Sequence, residues 1–464
     1  MFNSSIPFHL SLPVISIPHV NVSFPPAIYW LSILPVAILL LQFHRPQVRP
    51  QGCRKLGLSP AQSNLRDEYD PKYTQGVPST QRDEQGRPAW RIKALFTFPI
   101  KSCAEVELDV ADVVATGLAH DRQFCFAEYI TPSPSPSSQP SQQQQPYWTA
   151  RTMRDGEFSK LALIRPEIWV PDPTAPDYAP DLDEVRSHGV LIVHYPRVPR
   201  NTLHALLLRC AASLHLLPTE LSFTVPLIPP SPTRYPSTAV KIWKDIPLAW
   251  DYGEHLPPSL RAFLTANSGG RTRGPITLFR AHPAHPREIF RCAPRKEDVG
   301  FQPVTAFADA YPLHLLNLAS VRDVARRCVG DIPRLSVRRF RANVLVQGPP
   351  AFAEDAWKRI RVCGPAVVGT GEGLEIYASC RTMRCKLPNV DPDTGVRHPA
   401  EPDRTLKSYR RIDPGDYSNA ALGMQLVPVA REFTLRVGDA VEVLETGEHF
   451  YIKMLAPGEK VEGV

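Results

Sequence analysis

The sequence predicts a β-rich, α+β chain with a few helices, set behind an N-terminal membrane anchor. From Trp90 to Tyr129, short runs alternate apolar and polar residues, the period-two pattern of strands joined by turns. Phe433 to Leu444, FTLRVGDAVEVL, reads as two strands about a Gly-Asp turn. Ala27 to Phe43 is a run of 17 uncharged residues with Tyr29 and Trp30 at one edge, long enough to span a thin bilayer.

The 464 residues allow two or three domains, and a 43% hydrophobic content suits a globular core. The net charge of +7 is not gathered into the long basic runs of nucleic-acid arms, so it favours an anionic cofactor or partner over DNA or RNA. Nine cysteines, odd in number and irregular in spacing, argue for a reducing compartment rather than a disulfide scaffold.

In chain order, residues 1–26 form a tail without Lys or Arg, unlike a cleavable presequence. The single-pass anchor at 27–43 is followed by Arg45, Arg49, Arg54 and Lys55, which places the bulk of the chain in the cytosol. Residues 44–89 read as a polar linker, 90–275 as a first β domain and 276–454 as a second. Within the first, 131–146 (TPSPSPSSQPSQQQQP) is a low-complexity insert at a hairpin tip that cannot order itself. Leu315, Leu318, Val321, Val324, Ala325 and Cys328 fall at helical spacing before Gly330. Gly369 to Gly373 has the wrong spacing for a dinucleotide loop and leads into a strand, so it reads as a turn.

The densest chemistry lies between Ala378 and Asp413. Cys385 sits between Arg384 and Lys386, cations that favour a thiolate, the form that acts as nucleophile or metal ligand. Pro388, Pro392, Gly395 and Pro399 then force an irregular ordered loop. Cys380 and Cys385 lack a second pair at zinc-finger spacing, and Asp391, Asp393 and Gly395 miss the calcium-loop pattern by one place and one acidic ligand. A buried inert thiol remains the alternative for Cys385 on chemistry alone.

The strings RC at Arg384-Cys385, VDPDTG at Val390 to Gly395, Glu401-Pro402, TLKSYR at Thr405 to Arg410 and VGD at Val437 to Asp439 resemble the MOSC domain of molybdenum enzymes. Upstream, FPIKS at Phe98 to Ser102, GLAHDR at Gly117 to Arg122, TAR at Thr149 to Arg151 and LALI at Leu161 to Ile164 resemble the β-barrel domain that precedes it. The match is strongest to the amidoxime-reducing family. It implies two β-barrels with the cofactor in the cleft between them. Cys385 would be the protein's bond to molybdenum, and Lys101, Ser102, Arg122, Arg151, Ser320, Arg341, Asn343 and Arg384 would hold the pterin and its phosphate. Asp391 is a candidate for proton delivery, with a loop-structuring role as the alternative. Ala342, Asn317 and Met383 depart from the family's proline, serine and small residue.

The activity implied is two-electron reduction of N-hydroxylated compounds such as amidoximes and hydroxylamines. Molybdenum cofactor is the implied cofactor, and pyridoxal phosphate is not expected. Electrons would come from NADH through NADH-cytochrome b5 reductase and cytochrome b5, at the outer mitochondrial membrane or the endoplasmic reticulum. Two other readings stay open: a sulfur carrier with a persulfide on Cys385, and a cofactor-binding protein without turnover.

Overall fold

The computed structural model describes residues 49–132, 145–199, 201–213, 217–266, 273–365 and 368–453. The expected anchor at 27–43 and nearly all of the insert lie outside these. Among the described residues no helix is long and apolar enough to cross a membrane. Residues 1–48 and 199–219 make up one unit, whose described part centres on the helix Thr202–Ser213. Residues 49–198 and 220–464 make up the other.

In the larger unit, five strands close a first barrel: Ser237–Lys241, Leu248–Asp251, Ile276–Ala281, Phe124–Ile130 and Tyr147–Ala150, in that order round the ring. A parallel pairing of Val240 with Trp148 closes it. Its filling is Cys125, Ala127, Val240, Ala249 and Phe279, all fully buried. The strands flanking the insert pair from Ala127↔Ala150 to Ile130↔Tyr147, so the insert does sit at a hairpin tip.

A second ring runs Arg91–Thr97, Val344–Gln347, Leu313–Asn317, Ala420–Pro428, Leu374–Arg384, Trp357–Cys363 and Ala440–Thr446, and returns to Arg91–Thr97. Ile92, Leu315, Ile360, Ile376, Met424 and Val441 fill it. Burying each such side chain contributes about 1.5–3 kcal/mol. The chain thus lays a strand of the second barrel before it builds the first.

Three expectations change. Phe433–Arg436 does not pair with Ala440–Thr446 as a hairpin. It pairs with Val110–Val114 in a small separate sheet, and Ala440–Thr446 alone joins the barrel. The reason is the turn: the Asp439 carboxylate accepts from Arg436 N at 2.8 Å while Gly438 takes φ +95°, which redirects the chain. The described part of the supposed linker is packed against the domain. Cys53–Lys55 adds a strand to Arg165–Pro171, Leu65 and Tyr73 enter the core, and Glu68 accepts from Val337 N. Finally, the helix expected around residues 315–328 starts at Leu318 and ends at Arg327, because Leu313–Asn317 is strand and Asn317 caps the helix by accepting from Ala319 N. Cys328 is core, as its spacing implied.

Candidate active site

Strand Leu374–Arg384 alternates buried and half-buried residues along its whole length. Its inward face begins with Leu374, Ile376, Ala378 and Cys380, then turns polar at Thr382 and Arg384. The face that fills the barrel core therefore becomes the floor of a cavity of about 400 Å³, with Cys385 at the strand's end. Pro388 in the short turn Leu387–Asn389 stops the strand there.

The first motif reaches this cavity through a stitched pair of loops. Asp121 accepts from Phe98 N at 2.8 Å and Arg122 N donates to Phe98 O at 2.7 Å, holding FPIKS against GLAHDR. Ser102 and Arg122 both sit in the left-handed region, at φ +66° and +45°, where a non-glycine residue is strained. Lys101 Nζ, buried, donates to Phe307 O at 2.8 Å and to Asp309 Oδ1 at 2.5 Å. Burial lowers it to about 8 in spite of that carboxylate. Arg122 and Arg341 lie against the ring of Phe98, 4.5 and 4.2 Å from its centroid. Burial, helped by Arg122, lowers Arg341 to about 10, and burial lowers Arg384 to about 10.

Six cations, Lys101, Arg122, Arg154, Arg291, Arg341 and Arg384, line the cavity against two carboxylates, Asp309 and Asp416. Burial works to raise Asp309, but Arg154 and Lys101 outweigh it and hold the carboxyl well below its usual range. Several buried polar atoms here have no hydrogen-bond partner among the described residues: His314 Nε2, Thr382 Oγ1, Arg341 Nη2 and Arg384 Nε. Burial and the charges of Arg384 and Arg122 keep His314 neutral. A buried polar atom left unpaired costs about 1–3 kcal/mol. Four around one cavity are what a polar, anionic ligand would satisfy.

Of the residues expected from sequence, Lys101, Ser102, Arg122, Arg341, Asn343, Arg384 and Cys385 come together on this cavity. The amide of Asn343 is already engaged, donating to Phe96 O and accepting from Arg122 and His314 N, so it shapes the wall. Three candidates do not line the cavity. Arg151 pairs with buried Glu128 inside the first domain. Ser320 is fully buried, donating to Glu354 at 2.7 Å and accepting from Phe352 N. Asp391 pairs with Arg339 at 2.5 Å and accepts from the backbone N–H of Asp393 and Thr394, the loop-structuring role.

In place of Arg151 stands Arg154, three residues on. Its Nη1 donates to Cys385 Sγ at 3.5 Å and its Nη2 reaches both oxygens of Asp309 at 3.0 Å. Its guanidinium lies 4.1 Å from the ring of Trp243, itself in the left-handed region at φ +58°. The sequence offered no signal for Arg154, Asp309, His314 or Thr382, since each is an ordinary residue in its own stretch, whereas Trp243 lies in KIWKD, a string that resembles the family's VWGD.

Residues 302–442 match the MOSC domain, and residues 89–133 match the MOSC N-terminal beta barrel domain. Together with the ring of strands and the cation-lined cavity at Arg384-Cys385, these matches give the chain a MOSC domain and, before it, a MOSC N-terminal beta barrel domain over the residues matched. Its relatives include mitochondrial amidoxime-reducing component 1 of Mus musculus, 35% identical over 142 residues, or 30% of this chain and 38% of the relative. The same component of Danio rerio is 33% identical over 195 residues, 41% of this chain and 52% of the relative. Component 2 of Rattus norvegicus is 37% identical over 139 residues, 29% and 38% of the two chains. The matches thus span about half or less of the length of these relatives.

Proposed function

We propose that this chain is a molybdenum-cofactor reductase of N-hydroxylated compounds, amidoximes and hydroxylamines among them. The observation that supports the reading best is the set of unpaired buried polar atoms and six cations gathered round the accessible thiol of Cys385. Arg122, Arg341 and Lys101 would hold the phosphate, Arg guanidinia as forks and Lys as a point charge. Thr382, His314 and Arg384 would meet the pterin's polar edge, and Cys385 would ligate the metal as a soft thiolate. When bound, that cofactor supplies a two-electron redox centre.

Around it the chain's own residues bind, orient and exclude water. Arg154 fixes the sulfur of Cys385 from one side and is itself anchored by Asp309, whose Oδ1 also accepts from Lys101. Half-exposed Trp243 covers the outer face of Arg154, so the guanidinium is shielded where substrate would enter. Across the whole reaction an amidoxime N–O bond breaks, two electrons and two protons are taken up, and an amidine and water leave. The electrons would come from NADH by way of NADH-cytochrome b5 reductase and cytochrome b5. The anchor at 27–43 would hold the catalytic unit on the cytosolic face of the outer mitochondrial membrane or endoplasmic reticulum. Benzamidoxime reduction with a chemically reduced mediator tests the activity without the protein donors. Turnover by wild-type protein that disappears in Cys385→Ser supports the reading, and equal turnover in both removes Cys385 from the reaction.

A further inference from the structure

Behind one wall of the cavity lies a second pair of sulfurs that the proposed reduction does not use. Cys292 follows the cavity residue Arg291 and takes φ +53°, a conformation its neighbours must hold in place. Its half-buried Sγ accepts the backbone N–H of Ile452 at 3.4 Å, faces Phe450 O at 3.7 Å, and packs in one small cluster with Cys380. Cys380 is fully buried on strand Leu374–Arg384, five residues before Cys385. Tyr311 and Tyr451, both cavity residues, pack in the same small apolar cluster as the two cysteines.

We propose that Cys292 and Cys380 are a peroxide-reactive thiol pair, with Cys292 the attacking sulfur and Cys380 the resolving one. The two differ in access and in protonation, as that division requires. Cys380 is the largest influence on Cys292 and outweighs burial; together with Ile452 N–H, Tyr311 and Arg291 it lowers the thiol to about 6. Burial pushes Cys380 well above the ordinary thiol range, which keeps it a thiol. A low-pKa, reachable thiol beside a sheltered partner is the arrangement in which a sulfenic acid is captured as a disulfide.

The chemistry balances with peroxide as oxidant. The Cys292 thiolate attacks one peroxide oxygen, the O–O bond breaks, and the released hydroxide takes a proton to leave as water. The Cys380 sulfur then attacks the Cys292 sulfenic acid, its proton goes to the departing hydroxyl, and a second water leaves. In total two thiols and one hydrogen peroxide give one disulfide and two waters. The bond ties the Arg291 wall to the strand that carries Arg384 and Cys385.

The purified full chain is treated with one equivalent of hydrogen peroxide, alkylated and mapped by mass spectrometry. The expected product is a Cys292–Cys380 cross-linked peptide, two hydrogens lighter and restored by dithiothreitol. Cys292 should lose its free thiol roughly tenfold faster than buried Cys103, whose thiol burial pushes up. Cys380→Ser should leave a sulfenic acid on Cys292 that dimedone traps, and Cys292→Ser should leave Cys380 a free thiol at the same dose. Either of two wild-type results overturns the proposal: both thiols still free while Cys103 has reacted, or Cys292 driven to sulfinic acid with Cys380 still reduced. The wild-type map stands even where a variant folds poorly.

Discussion

Arg154 donates to the Cys385 sulfur and to Asp309, whereas Arg151 is paired with Glu128 away from the cavity. Exchanging each for Gln therefore has different consequences. Arg154→Gln loses charge-assisted bonds worth about 1.5–3 kcal/mol, which should cut cofactor affinity or turnover roughly ten- to a hundredfold. Arg151→Gln should keep pterin content and lower the melting temperature, because buried Glu128 loses one partner and keeps Arg273. Pterin content against thermal unfolding separates the two, and equal pterin loss in both would contradict the assignment. Lys101, Ser102, Arg122, Arg341, Arg384 and Cys385 were legible in the sequence because short contiguous strings carry them. Arg154, Asp309 and His314 were not, because tertiary packing alone brings them to one cavity, and Ser320, a candidate by resemblance, is taken up by buried Glu354, 34 residues on, a pairing that leaves no local trace.

At the scale of elements, the strand-to-helix corner at Asn317 depends on a buried acid. Glu354, with no exposure, accepts from Ser320 at 2.7 Å and from Asn317 at 3.0 Å, and burial with nearby Asp355 raises it to about 7. A carboxyl raised from its ordinary value of 4.5 contributes stability that is complete below that value and is lost as pH rises through about 7. Unfolding free energy should accordingly fall across that window, and Glu354→Gln, which keeps a hydrogen-bonding carbonyl oxygen, should flatten this part of the profile. An unchanged slope in the variant would assign the titration elsewhere. On the neighbouring strand, Gly423 has φ +80°, and a Cβ there would lie 2.5 Å from Leu315 O and 2.8 Å from His314 Nε2. Gly423→Ala should cost more than about 1 kcal/mol and disturb the cavity floor, read as lower stability together with lower pterin content. The alternation that announced strands held, yet the hairpin read at Phe433 to Leu444 did not form. Pairing partners across more than three hundred residues, such as Thr434 with Asp112, leave no local trace.

For the whole molecule, the two closed rings share one chain path, since Arg91–Thr97 belongs to the second ring and Phe124–Ile130 to the first. Their closeness explains why motifs from both halves meet at one cavity. Removing residues 1–48, which belong to the other unit, should leave cofactor content and benzamidoxime turnover intact and abolish membrane association. Lost turnover with a folded protein would tie those residues to catalysis. Most direct for the central claim is the molybdenum and pterin content of the purified full chain beside Cys385→Ser. The account predicts one molybdenum and one pterin per wild-type chain, and in the variant pterin retained through Lys101, Arg122 and Arg341 while molybdenum is lost. Wild-type protein without molybdenum, carrying a persulfide on Cys385, would contradict it.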